Sequence, residues 1–210
     1  MDLYFAPLAC SMATRIALYE AGGNANYIAR DRNKRLPDGS DFLAINPLGM
    51  VPTLRTDDGV VLTENAAILQ YIAERFPSAE LAPASGMERA RLHQWLSFIG
   101  TELHKAVFLP LLQRQQPAEA KAWASGLAEA RLAIVEKHLT GREFLLDRFS
   151  IADAYLYTVL NWSRATPIDL SKWPAIQAYL TNLRKRPSVA KALAEEGALY
   201  AEEQERNKAA

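Results

Sequence analysis

The hydrophobic pattern of the chain changes near residue 80, and this change most limits the folds open to it. The first 75 residues alternate short apolar runs typical of strands with helical segments, in the order βαβαββα. From Met87 onward, apolar residues recur at the spacing of a helical face, which predicts about five helices. Between these parts, Pro77, Pro83 and small residues show no periodicity. We therefore predict an α/β domain over 1–76, a linker over 77–86 and an all-helical domain over 87–210.

The expected elements of the first domain have definite bounds. They are strands at Leu3 to Ala6, Asn26 to Arg30, Pro52 to Arg55 and Val60 to Leu62, helices at Ser11 to Ala21 and Glu64 to Arg75, and a short helix near Asp41 to Ile45.

Composition argues against several classes of function. The 24 Lys and Arg residues balance 24 Asp and Glu, so the chain lacks the basic field of a nucleic-acid or anionic-membrane binder. No apolar run approaches the roughly 18 residues of a spanning helix, and we expect the N-terminus to be mature sequence. A single cysteine excludes an internal disulfide or a thiolate cluster, and no motif has metal-ligand spacing. We expect a cytoplasmic protein without metal, nucleic-acid or membrane partners.

The strongest local signal for chemistry is Cys10-Ser11, between the first predicted strand and the first predicted helix. A thiol at a helix N-terminus faces unpaired N–H groups and the positive end of the helix dipole, which lower its pKa from about 8.5. A lone cysteine is more often a small buried apolar residue, but the strand-helix context favours a reactive thiol. It can stabilise a thiolate or form a mixed disulfide with an external thiol.

Two other motifs of the first domain suit a small peptide-like ligand. Val51-Pro52 precedes a predicted strand, where a proline removes no ladder hydrogen bond. A trans peptide is the ordinary case there, whereas a cis peptide would turn the backbone N–H and C=O of Val51 toward a ligand. Glu64-Asn65 opens a predicted helix and could hold an amino-acid headgroup, with helix capping alone as the alternative.

The helical domain holds a candidate histidine and a capping motif. His104 lies with Ser97, Thr101 and Phe108 on a face beside the apolar stripe, so we expect it to point away from the bundle core. A lone histidine is more often structural than functional. The sequence from Ser150 to Asp153 matches a capping box and predicts a folding role rather than a catalytic one.

Taken in order along the chain, these motifs resemble those of the cytosolic glutathione S-transferases, and the bacterial beta class most of all. They are Cys10-Ser11, Val51-Pro52, Leu62-Thr63-Glu64-Asn65, Thr101 to Lys105 and Ser150 to Leu156. The resemblance implies a thioredoxin-like domain that binds glutathione as co-substrate, followed by a helical bundle domain that lines the site for a small-molecule electrophile. It also implies a homodimer.

The resemblance assigns roles to individual residues. The implied catalytic residues are Cys10, Ser11 and His104, and Pro52, Ser150 and Asp153 are structural. Glutathione would be bound as follows: its sulfur by Cys10, its glycyl carboxylate by Lys34, its cysteinyl backbone by Val51, its γ-glutamyl end by Glu64 and Asn65, with Thr101, Glu102 and His104 along one wall. Asn65 stands where Ser or Gly is more common in this family, and Ser97 stands where Asn is expected.

The expected reaction is attack of the glutathione thiolate on an electrophilic carbon, in detoxification or catabolic dehalogenation. Two alternatives remain open. One is a thiol transferase or peroxidase that works through a mixed disulfide of Cys10 with glutathione. The other is a binding or regulatory protein that has the fold without the chemistry.

Overall fold

A mixed β-sheet is the centre of the first of two structural units in the computed structural model, which describes residues 1–209. Within those residues the strands are β1 (Asp2–Phe5), β2 (Asn26–Ala29), β3 (Thr53–Arg55) and β4 (Val61–Thr63). They lie in the order β2-β1-β3-β4. β1 runs parallel to β2 and antiparallel to β3, and β3 runs antiparallel to β4. This is the predicted thioredoxin-like arrangement, with strand bounds that differ by at most one residue.

Both faces of this sheet are covered. Helices α1 (Ser11–Glu20) and α2 (Asn65–Arg75) pack against each other beside the sheet. Tyr4, whose side chain alternates with those of its buried neighbours along β1, packs against Leu36 and Phe42 from the segment that follows β2. The sheet therefore forms the middle layer of the unit.

The last helix, α8 (Pro187–Ala209), groups with this first unit. It packs along α1, and Ser188 Oγ donates a hydrogen bond to the carboxylate of Glu20. We predicted a helical domain over 87–210. The contacts of α8 instead group this helix with the first unit. The periodic apolar residues of a helix show that it has a buried face, but they do not show which surface covers that face.

The second unit spans Ala82–Arg186 and is helical. Its principal elements are α3 (Gly86–Phe98), a π-helical segment (Ile99–Phe108), α4 (Leu109–Leu112), α5 (Ala118–Leu139), α6 (Ile151–Asn161) and α7 (Pro174–Arg184). Every residue of α6 from Ile151 to Leu160 is buried, as expected of a central bundle helix. Among residues 1–209, no helix is both long enough and apolar enough to cross a membrane.

The predicted capping box is present at the start of α6. Asp153 is fully buried, and its Oδ2 accepts hydrogen bonds of 2.9 Å from Ser150 N and Ser150 Oγ. Its Oδ1 accepts from Leu145 N at 2.9 Å and from the Tyr179 hydroxyl at 3.0 Å. Burial raises the pKa of Asp153 to about 6, against the lowering effect of these donors. The carboxyl group thus joins the loop before α6 to α7.

We expect Asp153→Ala to lower the free energy of unfolding by at least about 2 kcal/mol, because several buried donors lose their acceptor. Urea unfolding at neutral pH measures the difference. The exposed Asp147 provides a matched control, since Asp147→Ala should change stability by no more than about 0.5 kcal/mol. A stable but inactive Asp153→Ala variant would instead place Asp153 in the functional site.

Candidate active site

Cys10 lies at the junction of the β1-α1 loop and α1, as predicted. It is the N-cap residue of α1 and is half-buried. Its Sγ donates a hydrogen bond of 2.9 Å to the carbonyl oxygen of Val51. The Val51-Pro52 peptide is cis. The structure therefore brings together two of the motifs that the sequence singled out, the thiol and the backbone of the residue before the proline.

Ser11 stabilises the loop and does not face the thiol. It is fully buried, and its Oγ donates to Ala6 O at 3.3 Å and accepts from Ala6 N at 3.4 Å. The predicted catalytic role of Ser11 finds no support in this placement. The loop between β1 and α1 is short, so a hydroxyl at the first turn of the helix meets the backbone where the strand ends.

Asn65 contacts Cys10 through the interior of the unit. Its Nδ2 donates to Cys10 O at 2.8 Å, and its Oδ1 accepts from the Thr14 hydroxyl at 3.0 Å. The side-chain amide is therefore engaged with α1. The preceding residue, Glu64, is exposed and has a left-handed backbone with φ of 68°. Residues other than glycine that have a left-handed backbone are concentrated at active sites and ligand-binding sites.

Lys34 is half-buried in the segment after β2, and a glycine makes room for its side chain. A Cβ added to Gly49 would lie 2.5 Å from Lys34 Nζ. Gly49 also has a left-handed backbone, with φ of 62°, which favours glycine. The ammonium group is thus held against the turn that precedes Val51.

Arg30 is a cation of this region that the sequence analysis missed. Its backbone N–H donates to Phe5 O at 2.9 Å, which places it where the parallel strands β1 and β2 end. Burial lowers the pKa of its guanidinium, while the charges of Glu203, Asp31 and Cys10 act to raise it. Its Nε is buried without a hydrogen-bond partner in the part of the chain that the structure describes. The basic residues that begin at the end of the second predicted strand could have indicated this cation, because parallel strands end at the same edge of a sheet.

His104 lies in the second unit and is buried, contrary to the expected position on a face turned away from the core. Its Nδ1 is 2.7 Å from the Tyr155 hydroxyl, and its ring packs edge-on against Trp162 at 4.9 Å. Burial, with a smaller effect of Lys105, lowers the pKa of His104 to about 4. The imidazole is therefore neutral at physiological pH. It can donate a hydrogen bond but supplies no positive charge.

The π-helical segment explains why the expected orientation was wrong. The prediction used the spacing of an α-helix, whereas hydrogen bonds in a π-helix join residues five apart and widen the turn. Residues Ile99–Phe108 form this wider helix, and both His104 and Phe108 turn inward. Thr101 remains exposed, with its hydroxyl bonded to Ser97 O at 3.0 Å.

Glu102 has a partner that the sequence did not reveal. Its Oε2 accepts two hydrogen bonds from Arg131, at 3.1 Å from Nε and 3.0 Å from Nη2. Arg131 belongs to α5, and the pair joins that helix to the π-helical segment. A separation of 29 residues gives no local pattern by which to predict such a pair.

Family models match both parts of the chain. Residues 9–75 match the model described as glutathione S-transferase, N-terminal domain, and residues 100–187 match glutathione S-transferase, C-terminal domain. Glutathione S-transferase GstA of Escherichia coli O157:H7 is 40% identical over 200 residues, which cover 94% of this chain and 99% of that protein. Glutathione S-transferase GST-4.5 of Xanthomonas campestris pv. campestris is 34% identical over 206 residues, with 94% and 99% covered.

Solved structures of bacterial enzymes are also similar. A ternary complex of BphK, a bacterial GST, is 44% identical and superposes with a TM-score of 0.91, covering 94% of this chain and 100% of that one. A sphingomonad glutathione S-transferase complexed with glutathione is 44% identical, with a TM-score of 0.89 and coverage of 94% and 99%.

We expect the His104 imidazole to stay neutral between about pH 5 and 8. Protonation favours the unfolded chain, because the folded pKa lies below the usual value of 6.5. Stability contributed by this group is therefore lost as the pH falls from 6.5 toward about 4. An NMR titration, with the signal assigned through His104→Asn, measures the pKa. A midpoint above pH 6 would contradict the buried, neutral state.

Proposed function

The chain belongs to the glutathione S-transferase family, and we propose from this that it conjugates glutathione to electrophilic small molecules. The thiol of the bound glutathione would lie beside Cys10. The observation that carries the proposal is the 2.9 Å hydrogen bond from Cys10 Sγ to Val51 O at the start of α1. This hydrogen bond places a protein thiol beside a backbone carbonyl that could pair with a peptide. Glutathione has both a peptide backbone and a thiol, so it suits these two groups. The cellular role would be detoxification or catabolic dehalogenation in the cytoplasm.

Glutathione would lie along the first unit with its backbone on that of Val51. Its cysteinyl N–H would donate to Val51 O, in the manner of a short extra strand. Glu64 would receive the γ-glutamyl ammonium group, and the backbone N–H of Asn65 would hold the carboxylate at the start of α2. Lys34 would meet the glycyl carboxylate. These are charge-assisted contacts, which are stronger than contacts between neutral groups.

The positive potential for the glutathione thiolate would come from the N-terminus of α1 and from Arg30. The helix dipole favours negative charge at its N-terminus. Arg30 is a half-buried cation that interacts electrostatically with Cys10. Neutral His104 and the Thr101 hydroxyl would act as hydrogen-bond donors, and the Glu102 carboxylate as an acceptor, toward glutathione or the co-substrate. Ser11 would act by holding the loop.

Disulfide exchange is a second reaction open to the same thiol. The Cys10 thiolate would attack the glutathione sulfur of a disulfide between glutathione and another thiol, form a protein-glutathione mixed disulfide and release the other thiol as a thiolate. A further glutathione thiolate would then attack the glutathione sulfur of the mixed disulfide, which frees the Cys10 thiolate and yields glutathione disulfide. We propose this as a side reaction, because conjugation needs no covalent bond to the protein.

The Cys10→Ala variant separates the two reactions. It should keep substantial conjugation activity toward an electrophilic aryl halide, because the helix N-terminus and Arg30 are unchanged. It should lose disulfide exchange by several orders of magnitude, because the sequence has no second cysteine. Steady-state rates for both reactions, with circular dichroism as the folding control, make the comparison.

Two results would count against this proposal. Equal loss of both activities in folded Cys10→Ala would make conjugation depend on the protein thiol. Absence of glutathione-dependent conjugation in the unaltered protein, tested with several electrophiles, would favour a binding or regulatory protein.

We propose further that the protein is a homodimer. The turn before Val51 exposes two large apolar side chains, Leu48 at 68% and Met50 at 50%. Exposed apolar residues beside a site are typical of an association surface. Light scattering at micromolar concentration should give a mass near twice the chain mass of 23.3 kDa. Leu48→Asp should shift the protein toward the monomer, and a monomeric unaltered protein would refute the proposal.

A further inference from the structure

A buried ion pair joins the last helix to the first. Glu196 of α8 is 0% exposed and Arg15 of α1 is 3% exposed, and Arg15 Nε lies 3.0 Å from Glu196 Oε1. An ion pair in such a place contributes little net stability over a well-packed apolar pair, because both charges lose their hydration. The ion pair therefore matters more for the arrangement that it imposes on the residues around it.

The second oxygen of Glu196 contacts the loop that carries Cys10. Leu8 N donates to Glu196 Oε2 at 2.7 Å, across 188 residues of sequence. Leu8 has a left-handed backbone with φ of 58°, an unfavourable conformation for a residue with a branched side chain. A short hydrogen bond to a carboxylate is strong enough to hold such a conformation. Leu8 is two residues before Cys10, so this bond acts directly on the loop.

The surroundings of the pair hold Arg15 in place. Its guanidinium lies over the rings of Phe5 at 4.4 Å and Tyr27 at 4.1 Å. Arg15 Nη1 donates to Glu195 Oε2 at 2.9 Å, and the Tyr19 hydroxyl donates to the same oxygen. The charged and titratable groups of this cluster therefore come from three elements. They are Arg15 and Tyr19 from α1, Tyr27 from β2, and Lys191 and Glu195 from α8 itself.

We propose that Glu196 is a positioning residue for the reaction, which fixes the β1-α1 loop through Leu8 and Arg15 and so sets the Cys10 thiol at the N-terminus of α1. The proposal rests on the proposed function in taking Cys10 as the thiol that faces glutathione. Glu196 acts through the loop and touches neither the thiol nor the substrate.

The ionisation of Glu196 makes this positioning dependent on pH. Burial raises the pKa of Glu196 to about 7, although Arg15 and the Leu8 N–H favour the carboxylate, and the neighbouring charge of Glu195 adds to the rise. Below that pH the protonated carboxyl loses its charge interaction with Arg15. The reactivity of Cys10 should therefore show a step near pH 7 in addition to the titration of the thiol.

Alkylation of Cys10 by iodoacetamide, without glutathione, tests the proposal from about pH 6 to 9. The sequence has one cysteine, so the rate reports on this position alone. Glu196→Gln keeps the shape, but its amide is uncharged and has one acceptor oxygen. If that oxygen accepts from Leu8 N, the amide N–H group faces Arg15 Nε and the ion pair is lost. We expect alkylation to slow about tenfold at pH 8 and the step near pH 7 to vanish, because the thiol leaves the helix N-terminus.

Glu195→Gln is the matched control. Glu195 contacts Arg15, Tyr19 and Lys191, none of which belongs to the β1-α1 loop, so alkylation should stay within roughly twofold of the unaltered protein. An equal effect of both variants would overturn the proposal, because loss of either carboxylate beside Arg15 would then suffice and the Leu8 contact of Glu196 would not be needed. Folded Glu196→Gln with an unaltered rate and pH profile would overturn it as well.

If Glu196→Gln does not fold, hydrogen exchange in the unaltered protein decides. The Leu8 amide should be strongly protected, and exchange at the rate of an exposed amide would overturn the proposal. None of these measurements uses glutathione. Failure of the positioning role is thus distinguishable from failure of the proposed function, which the conjugation assay reports separately.

Discussion

The pairing of β1 with its two neighbours is the constraint on which the site depends. Because β2 runs parallel to β1, Phe5 and Ala29 end their strands side by side. Because β3 runs antiparallel, Thr53 lies opposite Tyr4, and β4 returns so that Thr63 lies opposite Thr53. The segments that hold Cys10, Arg30, Val51 and Glu64 therefore all meet one edge of the sheet. A shift of one residue in any of these registers would turn side chains to the other face and separate the groups.

Electrostatics at this edge comes from fixed groups more than from titrating ones. The α1 terminus and the Arg30 guanidinium stay positive over the physiological range, whereas burial keeps His104 uncharged. The neutral imidazole meets the Tyr155 hydroxyl through Nδ1. Within the second unit, the imidazole therefore keeps the same protonation state around neutral pH.

Local patterns predicted most of the fold and part of the site. Alternating and helical periodicities are properties of neighbouring residues, so β1, α1 and the capping box of Asp153 were found with nearly correct bounds. The sequence also led to Cys10 and Val51, because a strand-helix junction and a proline before a strand are local signals.

Long-range partners and unusual helical geometry could not be predicted in this way. Asn65 was expected to face a ligand, but Thr14 and the Cys10 carbonyl occupy its amide, and these partners lie about fifty residues away. The pairs Glu102-Arg131 and Glu196-Arg15 pose the same problem. His104 and Phe108 lie in a π-helical segment, and α-helical periodicity gives the wrong face for both.

The contact of α8 with the β1-α1 loop has a consequence for biosynthesis. Leu8 leaves the ribosome 188 residues ahead of Glu196, which at about 5 to 20 residues per second is a delay of roughly ten to forty seconds. During that time the sheet and its first helices can form, but the loop beside Cys10 lacks its carboxylate. Native structure in the first unit is thus completed after translation of the second. The nascent chain would carry its one thiol in an unfinished loop until its final helix emerged.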